Sequence, residues 1–259
     1  MDGVRLTKVL RWALASKIGT SHIKLGTEKQ DWARCVQLET QIGKVTLSII
    51  SDGAGSASMG KQGAAIVCYS IIQRFREYYR SNSANPSDEE LWSWVDSARE
   101  LISACAIKRK AARRDFSATL VALIITPKDL IVLHIGDGSV VARKTDQQWT
   151  ALSWPETGEY ASTTYFLIDD PSPKLKISRF TNEYDGYALF SDGIENLALD
   201  FKNQTPHPPF FNGLLRAVDG MAKSGKIEGL SKELTNFLGS EKVNERTDDD
   251  KSLIIISSK

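Results

Sequence analysis

The sequence predicts an α+β fold in which helices pack outside antiparallel sheets. Read by periodicity, the chain runs strands, two helices, strands, helices and a last strand, a segregation that argues against a doubly wound parallel sheet. Its β blocks carry short-range hairpin signals, one about Gly43 and one at Pro127-Lys128. Its 259 residues show no repeat, low-complexity tract or long linker, so a single domain spanning residues 1–259 is expected.

Arg11 to Ile18 reads as a strand, and Gly19-Thr20-Ser21-His22-Ile23-Lys24-Leu25-Gly26 as a polar turn leading to Gln30-Asp31. Ala33 to Leu38 and Lys44 to Ile50 form the first hairpin. Its second arm runs into the stretch Leu47 to Gly63, where the β-branched run stops at Ser51. Asp52-Gly53-Ala54-Gly55-Ser56 is too rich in glycine for regular structure. From Lys61 to about Ser81 the pattern turns helical, with Ala64, Ile66, Val67, Ile71, Ile72 and Phe75 as its apolar stripe. Pro86-Ser87-Asp88-Glu89-Glu90 announces a second helix, because Ser87 can cap it and the acids suit its N-terminal dipole. That helix should pass Trp92, Val95 and Leu101 towards Ala111.

Phe116 to Thr126 and Asp129 to Arg143 are β-rich runs joined as a hairpin, with Gly136-Asp137-Gly138 inside the second arm. Gly158 to Leu167, Lys174 to Phe180 and Tyr187 to Phe190 read as further strands, the last ending in Ser191-Asp192-Gly193. Ile194 to Leu199 looks helical, Pro206 to Pro209 is a loop, and Phe210 to Met221 and Leu230 to Leu238 are helical. Asp248-Asp249-Asp250-Lys251-Ser252 precedes a final buried strand, Leu253 to Ile256.

Composition narrows the function classes. Apolar residues make up 41% and charged residues 25%, ordinary for a soluble globular chain. With 33 Lys+Arg against 32 Asp+Glu, the net charge of +1 gives no bulk attraction to nucleic acid or a membrane surface. Cys35, Cys68 and Cys105 are odd in number and lack a CxxC pair, so they read as reduced thiols in a cytoplasmic protein. The apolar run after Arg5, Lys8 and Arg11 is too short for a signal segment, and none approaches the length of a membrane span.

Four acids sit beside predicted strands: Asp52, Asp137, Asp192 and Asp249. Asp31 is a fifth, in the loop after the first strand. Asp52 with the adjacent Gly53 carbonyl can hold one cation by side chain and main chain together. Carboxylates gathered in one cleft repel and raise one another's pKa unless divalent cations neutralise them. All-oxygen ligands without a Cys/His cluster favour Mg²⁺ or Mn²⁺ over Zn²⁺.

The succession Gly19-Thr20-Ser21-His22 with Gln30-Asp31, Asp52-Gly53-Ala54-Gly55-Ser56-Ala57, Phe116-Ser117-Ala118-Thr119-Leu120, Gly136-Asp137-Gly138, Gly158-Glu159-Tyr160, Ser191-Asp192-Gly193 and Asp249-Asp250-Lys251-Ser252 resembles the PP2C family of metal-dependent Ser/Thr phosphatases. It is most similar to the bacterial branch with a DGAGSA turn and spans about residues 12 to 257. The resemblance implies a four-layer α-β-β-α sandwich with a metal centre of two or three Mn²⁺ or Mg²⁺ ions at one edge. It implies Asp52 as the carboxylate bridging two metals with the Gly53 carbonyl on one of them, Asp192 and Asp249 on the first metal, and Asp31 on the second, directly or through water. Asp137, with Asp192, matches the holder of a third. Asp250 stands where many members have Asn and is not taken as a ligand. The implied activity is hydrolysis of phosphoserine and phosphothreonine in proteins by water activated between the metals, opposing a kinase.

Two positions depart from the family. Ala54 stands where many members have His, and no Arg precedes Asp31; His22 and Lys24 offer themselves instead as substrate contacts, with His22 a candidate proton donor. The departures leave a catalytically silent phosphoprotein-binding regulator as the alternative. Gly55 to Gln62 also satisfies GxxxxGK between strand and helix, but Gln62 replaces the Ser/Thr a P-loop needs for Mg²⁺. Ser191-Asp192-Gly193 is no GxSxG elbow, His134 reads as a strand residue, and the basic run at Lys108-Arg109-Lys110 as a solvated helix end.

Overall fold

The computed structural model describes residues 9–156 and 164–259. In chain order it contains β1 (Arg11–Lys17), α1 (Thr20–Leu25), β2 (Trp32–Thr40), β3 (Gly43–Ser51), α2 (Gly60–Ser81), α3 (Asp88–Arg109), β4 (Leu120–Ile125), β5 (Asp129–Ile135), β6 (Ser139–Lys144) and β7 (Trp149–Ser153). There follow β8 (Lys176–Thr181), β9 (Tyr184–Phe190), α4 (Glu195–Ala198), the two-residue strands β10 (Leu199–Asp200) and β11 (Thr205–Pro206), α5 (Pro208–Asp219), β12 (Gly225–Lys226), α6 (Glu228–Leu238), α7 (Glu241–Asn244) and β13 (Lys251–Ser257). One sheet has the order β12-β1-β13-β9-β6-β7 and the other β2-β3-β4-β5-β8. Within both, every described pairing is antiparallel except the short β12 beside β1.

The layering follows from the period-2 geometry of strands, which sends successive side chains to opposite faces. In β4, Leu120, Ala122 and Ile124 pack with Val67, Ile71, Phe75, Val95 and Ile102 of α2 and α3. Their neighbours Val121, Leu123 and Ile125 face Leu189, Ile254 and Ile256 of the other sheet. In β13 the alternate residues Leu253 and Ile255 meet Phe211 and Leu215 of α5 and Leu234 and Leu238 of α6. Strands buried on both faces cannot alternate apolar with polar, which is why they read as continuous apolar runs. The result is the expected four-layer α-β-β-α sandwich.

The capping expectation holds for α3, where Ser87 Oγ accepts from Glu90 N–H at 3.2 Å and Glu90 Oε2 accepts from Ser87 N–H at 2.7 Å. The three cysteines are free, and burial pushes the Cys35 and Cys68 thiols up to about 12. His134 lies buried in β5.

Four expectations need correction. Gly19 to Gly26 is not a plain turn: Thr20–Leu25 forms one short helix that buries none of its residues, so it has no apolar stripe to read. Asp129 to Arg143 is not one arm of a hairpin, because the chain breaks at Gly136, whose φ is +103°, and passes from one sheet to the other through Gly136-Asp137-Gly138. β7 was not anticipated. Residues 157–163 of the strand expected over Gly158 to Leu167 lie outside the described residues, and 164–167 form no regular strand. The two-residue strands β10, β11 and β12 and the short α7 have no sequence expectation either, and the bounds of the other elements differ by a few residues, α5 beginning at Pro208, where proline suits a first helical turn.

Candidate active site

Strand register brings the turns together. Trp32 pairs with Ser51 at the end of the β2–β3 ladder, so Asp31, just before one, faces Asp52, just after the other. Ser139 pairs with Phe190 in the other sheet, which sets Asp137 opposite Asp192 two residues further on. Leu253 pairs with Phe190, so the Asp249-Asp250 turn comes up beside Ser191 and Asp192. Neighbouring strands are about 4.8 Å apart, hence residues continuing such ladders lie within reach of one another. Asp52, Gly53, Asp137, Asp192 and Asp249 line one open cleft of about 730 Å³ together with Ser21, His22, Thr119 and Glu195. Asp31 lies fully buried behind them.

Backbone contacts hold these turns in place. Asp52 N–H donates to Thr119 Oγ1 at 3.0 Å, and Thr119 N–H to the Asp52 carbonyl at 2.8 Å. Ala54 N–H donates to the Ser117 carbonyl at 2.9 Å. Gly53 faces Ala118 between these bonds, so its own carbonyl stays out of the ladder. A Cβ on Gly53 would stand 2.3 Å from the backbone of Gly60, at the start of α2. Gly193 is tighter, since its Cβ would meet the Asp250 carbonyl oxygen at 1.8 Å. Gly193→Ala should therefore push the Asp192 and Asp249 turns apart. A stability loss of about 1–3 kcal/mol in urea unfolding, the usual range for overpacking, is expected together with weakened Mn²⁺ binding.

Asp250 is buried, and its carboxylate accepts from Gly19 N–H at 2.7 Å and Gln30 N–H at 2.5 Å. It thereby pins both ends of the α1 loop to the start of β13, in keeping with its exclusion as a ligand. Ser191 Oγ donates to Asp31 Oδ2 at 2.8 Å and accepts from Ser252 N–H at 3.0 Å, coupling the two sheets behind the cleft. The sequence singled out neither Ser191 nor Glu195. The DDD run did not show which acid turns inward, and the period-2 register that selects Asp250 appears only in the sheet.

The electrostatics are those of crowded acids. Burial, then the charges of Asp31, Asp192 and Asp137, pushes the Asp52 carboxyl well up; burial, then Asp137 and Asp249, does the same to Asp192. Burial raises Asp31 to about 6, and burial followed by Asp137 raises Glu195 to about 7. Asp137 and Asp249 are also raised, chiefly by burial.

The donor set suits hard divalent cations. Asp31 Oδ1 and Asp192 Oδ1 are buried without a hydrogen-bond partner, oxygens that a cation would satisfy. No three acidic, His or Cys side chains among the described residues already enclose a point as ligands of one ion would. Instead the acids crowd one another, and the charges of Asp31, Asp192 and Asp137 all act on Asp52. Divalent ions bound there would remove that repulsion. Waters complete the shell of Mg²⁺-like ions, so the acids need not already close on one point for a cation to be held among them.

Of the other sequence-predicted residues, His22 reaches the cleft. Its Nδ1–H donates to the Glu28 carbonyl at 2.8 Å, because a carbonyl can only accept, and this leaves Nε2 as the free ring nitrogen. Lys24 is exposed on the same helix and is not among the cleft-lining residues. Lys61 of the GxxxxGK match is committed to Glu28 at 2.8 Å. Gly158, Glu159 and Tyr160 lie outside the described residues.

Known proteins resemble the chain in sequence and in fold. The chain is 33% identical over 250 residues to serine/threonine-protein phosphatase 3 of Escherichia coli strain K12, covering 95% of this chain and 98% of that one. Its fold matches the serine/threonine phosphatase Stp1 from Staphylococcus aureus with a TM-score of 0.66 at 14% identity, over 99% of both chains. It also matches the catalytic domain of the phosphatase PstP, crystallised with two manganese ions, with a TM-score of 0.62 at 16% identity, over 96% and 98% of the two chains. The protein phosphatase 2C family model matches residues 18–239. With that span and a one-third-identical relative of nearly equal length, the chain belongs to the protein phosphatase 2C family.

Proposed function

We propose that this chain is a metal-dependent protein phosphatase that hydrolyses phosphoserine and phosphothreonine. The observation that carries the reading is the convergence of Asp31, Asp52, Asp137, Asp192 and Asp249 at one sandwich edge with two buried carboxylate oxygens unpartnered. Asp52, the Gly53 carbonyl, Asp192 and Asp249 would hold one Mn²⁺ or Mg²⁺, Asp52 and Asp31 a second, and Asp137 with Asp192 a third. Ions bound there supply Lewis-acid polarisation of the phosphoryl group and lower the pKa of the attacking water.

The chain's own residues supply orientation and proton handling. Ser191 fixes the plane of the Asp31 carboxylate, and Asp250 holds the loop that carries it. His22 lines the cleft with its tautomer set by the Glu28 carbonyl, so in its protonated form its other ring nitrogen can donate to the departing Ser/Thr oxygen or to the phosphate. It thus takes over the task that Ala54 cannot perform, and it is better placed for this than Lys24. A phosphorylated protein is the substrate, and a Ser/Thr kinase that writes the phosphate is the reciprocal partner. No helix among the described residues is long and apolar enough to cross a membrane. The balanced charge of +1 and the three free thiols favour a single-domain enzyme at work in the cytoplasm without a nucleic-acid or membrane partner.

The test is Mn²⁺-dependent release of phosphate from a phosphoserine or phosphothreonine peptide. Turnover is expected from the intact chain, and His22→Ala should lower kcat roughly 100-fold, the low end for loss of a general acid. Manganese binding without turnover would instead favour the silent regulator. Unchanged kcat in His22→Ala would remove both roles assigned to that residue.

A further inference from the structure

Helix α1 is held as a rigid piece although it buries nothing. Ser21 N–H and Oγ both bond the Asp248 carbonyl, at 2.9 and 2.7 Å, Thr27 N–H bonds the His22 carbonyl, and Gly26 closes the helix with a left-handed φ of +67°. The side chains so displayed include two large aliphatics, Ile23 at 58% and Leu25 at 75% exposure. Neither contributes to any core cluster, so folding does not account for them. His22 and Leu25, three residues apart, share one side of the helix, and both line the catalytic cleft.

The same two residues also line a second groove, of about 420 Å³, that continues from the first. His22, Leu25, Gln30, Gly55 and Ser56 belong to both. One wall of the groove is the chain from Leu25 to Glu28 and the other the segment Gly55 to Gln62. Glu28 and Lys61 join across it in a 2.8 Å ion pair, so its two ionic side chains neutralise each other. A trough that runs out of an acid-lined cleft, neutral and carrying one bare aliphatic side chain at its mouth, suits extended polypeptide rather than a small phosphoester.

We propose that this groove binds the substrate chain beside the phosphoresidue and that Leu25 selects for a large aliphatic side chain adjacent to it. The proposal rests on the phosphatase reading and names the substrate class of that site. It is tested with the intact chain and Mn²⁺ on three substrates: p-nitrophenyl phosphate, and two phosphoserine peptides that differ only in Leu or Asn at the positions flanking the phosphoserine. Leu and Asn are similar in size, so shape and charge are held constant.

The Leu peptide should be cleaved with a kcat/KM roughly ten-fold higher, mostly through KM, the low end for discrimination by a hydrophobic contact. Leu25→Ser should bring the kcat/KM ratio of the two peptides to about one, read as a ratio so that any change shared with p-nitrophenyl phosphate cancels, and Leu25→Met should restore the preference. Equal cleavage of the two peptides by the wild type would overturn the proposal. So would a Leu25→Ser loss shared equally by all three substrates, which would make Leu25 a structural residue. A concentration-dependent dimer abolished by Leu25→Ser, with both peptides cleaved alike, would assign the surface to a second copy of the chain. Failure to hydrolyse even p-nitrophenyl phosphate would sink the phosphatase reading itself, and this proposal with it.

Discussion

Asp52→Asn should lower phosphopeptide hydrolysis by more than about 10³-fold while making the metal-free protein more stable. The first effect follows from the position of Asp52 between the two halves of the acid cluster, where the charges of Asp31, Asp192 and Asp137 all act on it. An amide there cannot neutralise cations, and losing metal-supplied stabilisation of several kcal/mol corresponds to three or more decades in rate. The second effect has the opposite sign because the Asp52 carboxyl is pushed far up by burial and by three neighbouring acids, so the folded state resists ionising it. Asn keeps a donor for Asp31 and removes the charge. Calorimetry of the metal-free variant should show a melting temperature a few degrees above wild type, at about 2–4 °C per kcal/mol for a chain of this size class. Retained activity, or a destabilised metal-free variant, would place Asp52 outside the metal centre.

Metal-free protein should also lose stability as pH rises from 5 to 8, and Mn²⁺ should restore more of it the higher the pH. Asp31 titrates at about 6 and Glu195 at about 7, both above their ordinary carboxylate values, so over this interval the folded state binds more protons than the unfolded one. Stability tied to such groups is complete below the unfolded pKa near 4 and is lost as pH climbs through the folded value. For Asp31 alone, a shift of about two pKa units corresponds to a loss on the order of 3 kcal/mol. Asp52, Asp137, Asp192 and Asp249 are raised as well and add in the same direction. Divalent ions compete with those protons, so the Mn²⁺-induced rise in melting temperature should be small at pH 5 and large at pH 8. Stability that is flat or rising over this interval without metal would contradict the electrostatic account of the cleft.

Much of this site could be read in the sequence for a physical reason. Three of the five acids that converge at the sandwich edge are flanked by glycine, and that mark is local. Asp52 is framed by Ser51 and Gly53, Asp137 by two glycines, and Asp192 by Ser191 and Gly193. Strands β4, β9 and β13 are legible because burial on both faces gives each an apolar run, Leu120 to Ile125, Tyr187 to Phe190 and Leu253 to Ile256, and α3 because its capping box is written in four residues. What escaped depends on packing between distant segments. Nothing in Thr20 to Leu25 marks a helix, since α1 is fixed by bonds to Asp248 rather than by an apolar face. The division of Asp129 to Lys144 between two sheets turns on a single positive φ at Gly136. Ser191 and Asp250 gained their supporting roles only when register placed them behind Asp31. β7 is short and half-polar, too weak a pattern to stand out.

The central claim is that five acids from separate turns form one receptacle for divalent ions. It is met most directly by soaking crystals of the intact chain in manganese and mapping the anomalous signal of the metal. At least two peaks are predicted in the cleft, one touching Asp52, Asp192 and Asp249 and one touching Asp52 and Asp31, and both should vanish in crystals of Asp52→Asn. A cleft without manganese, with signal only at carboxylates elsewhere on the surface, would contradict the account.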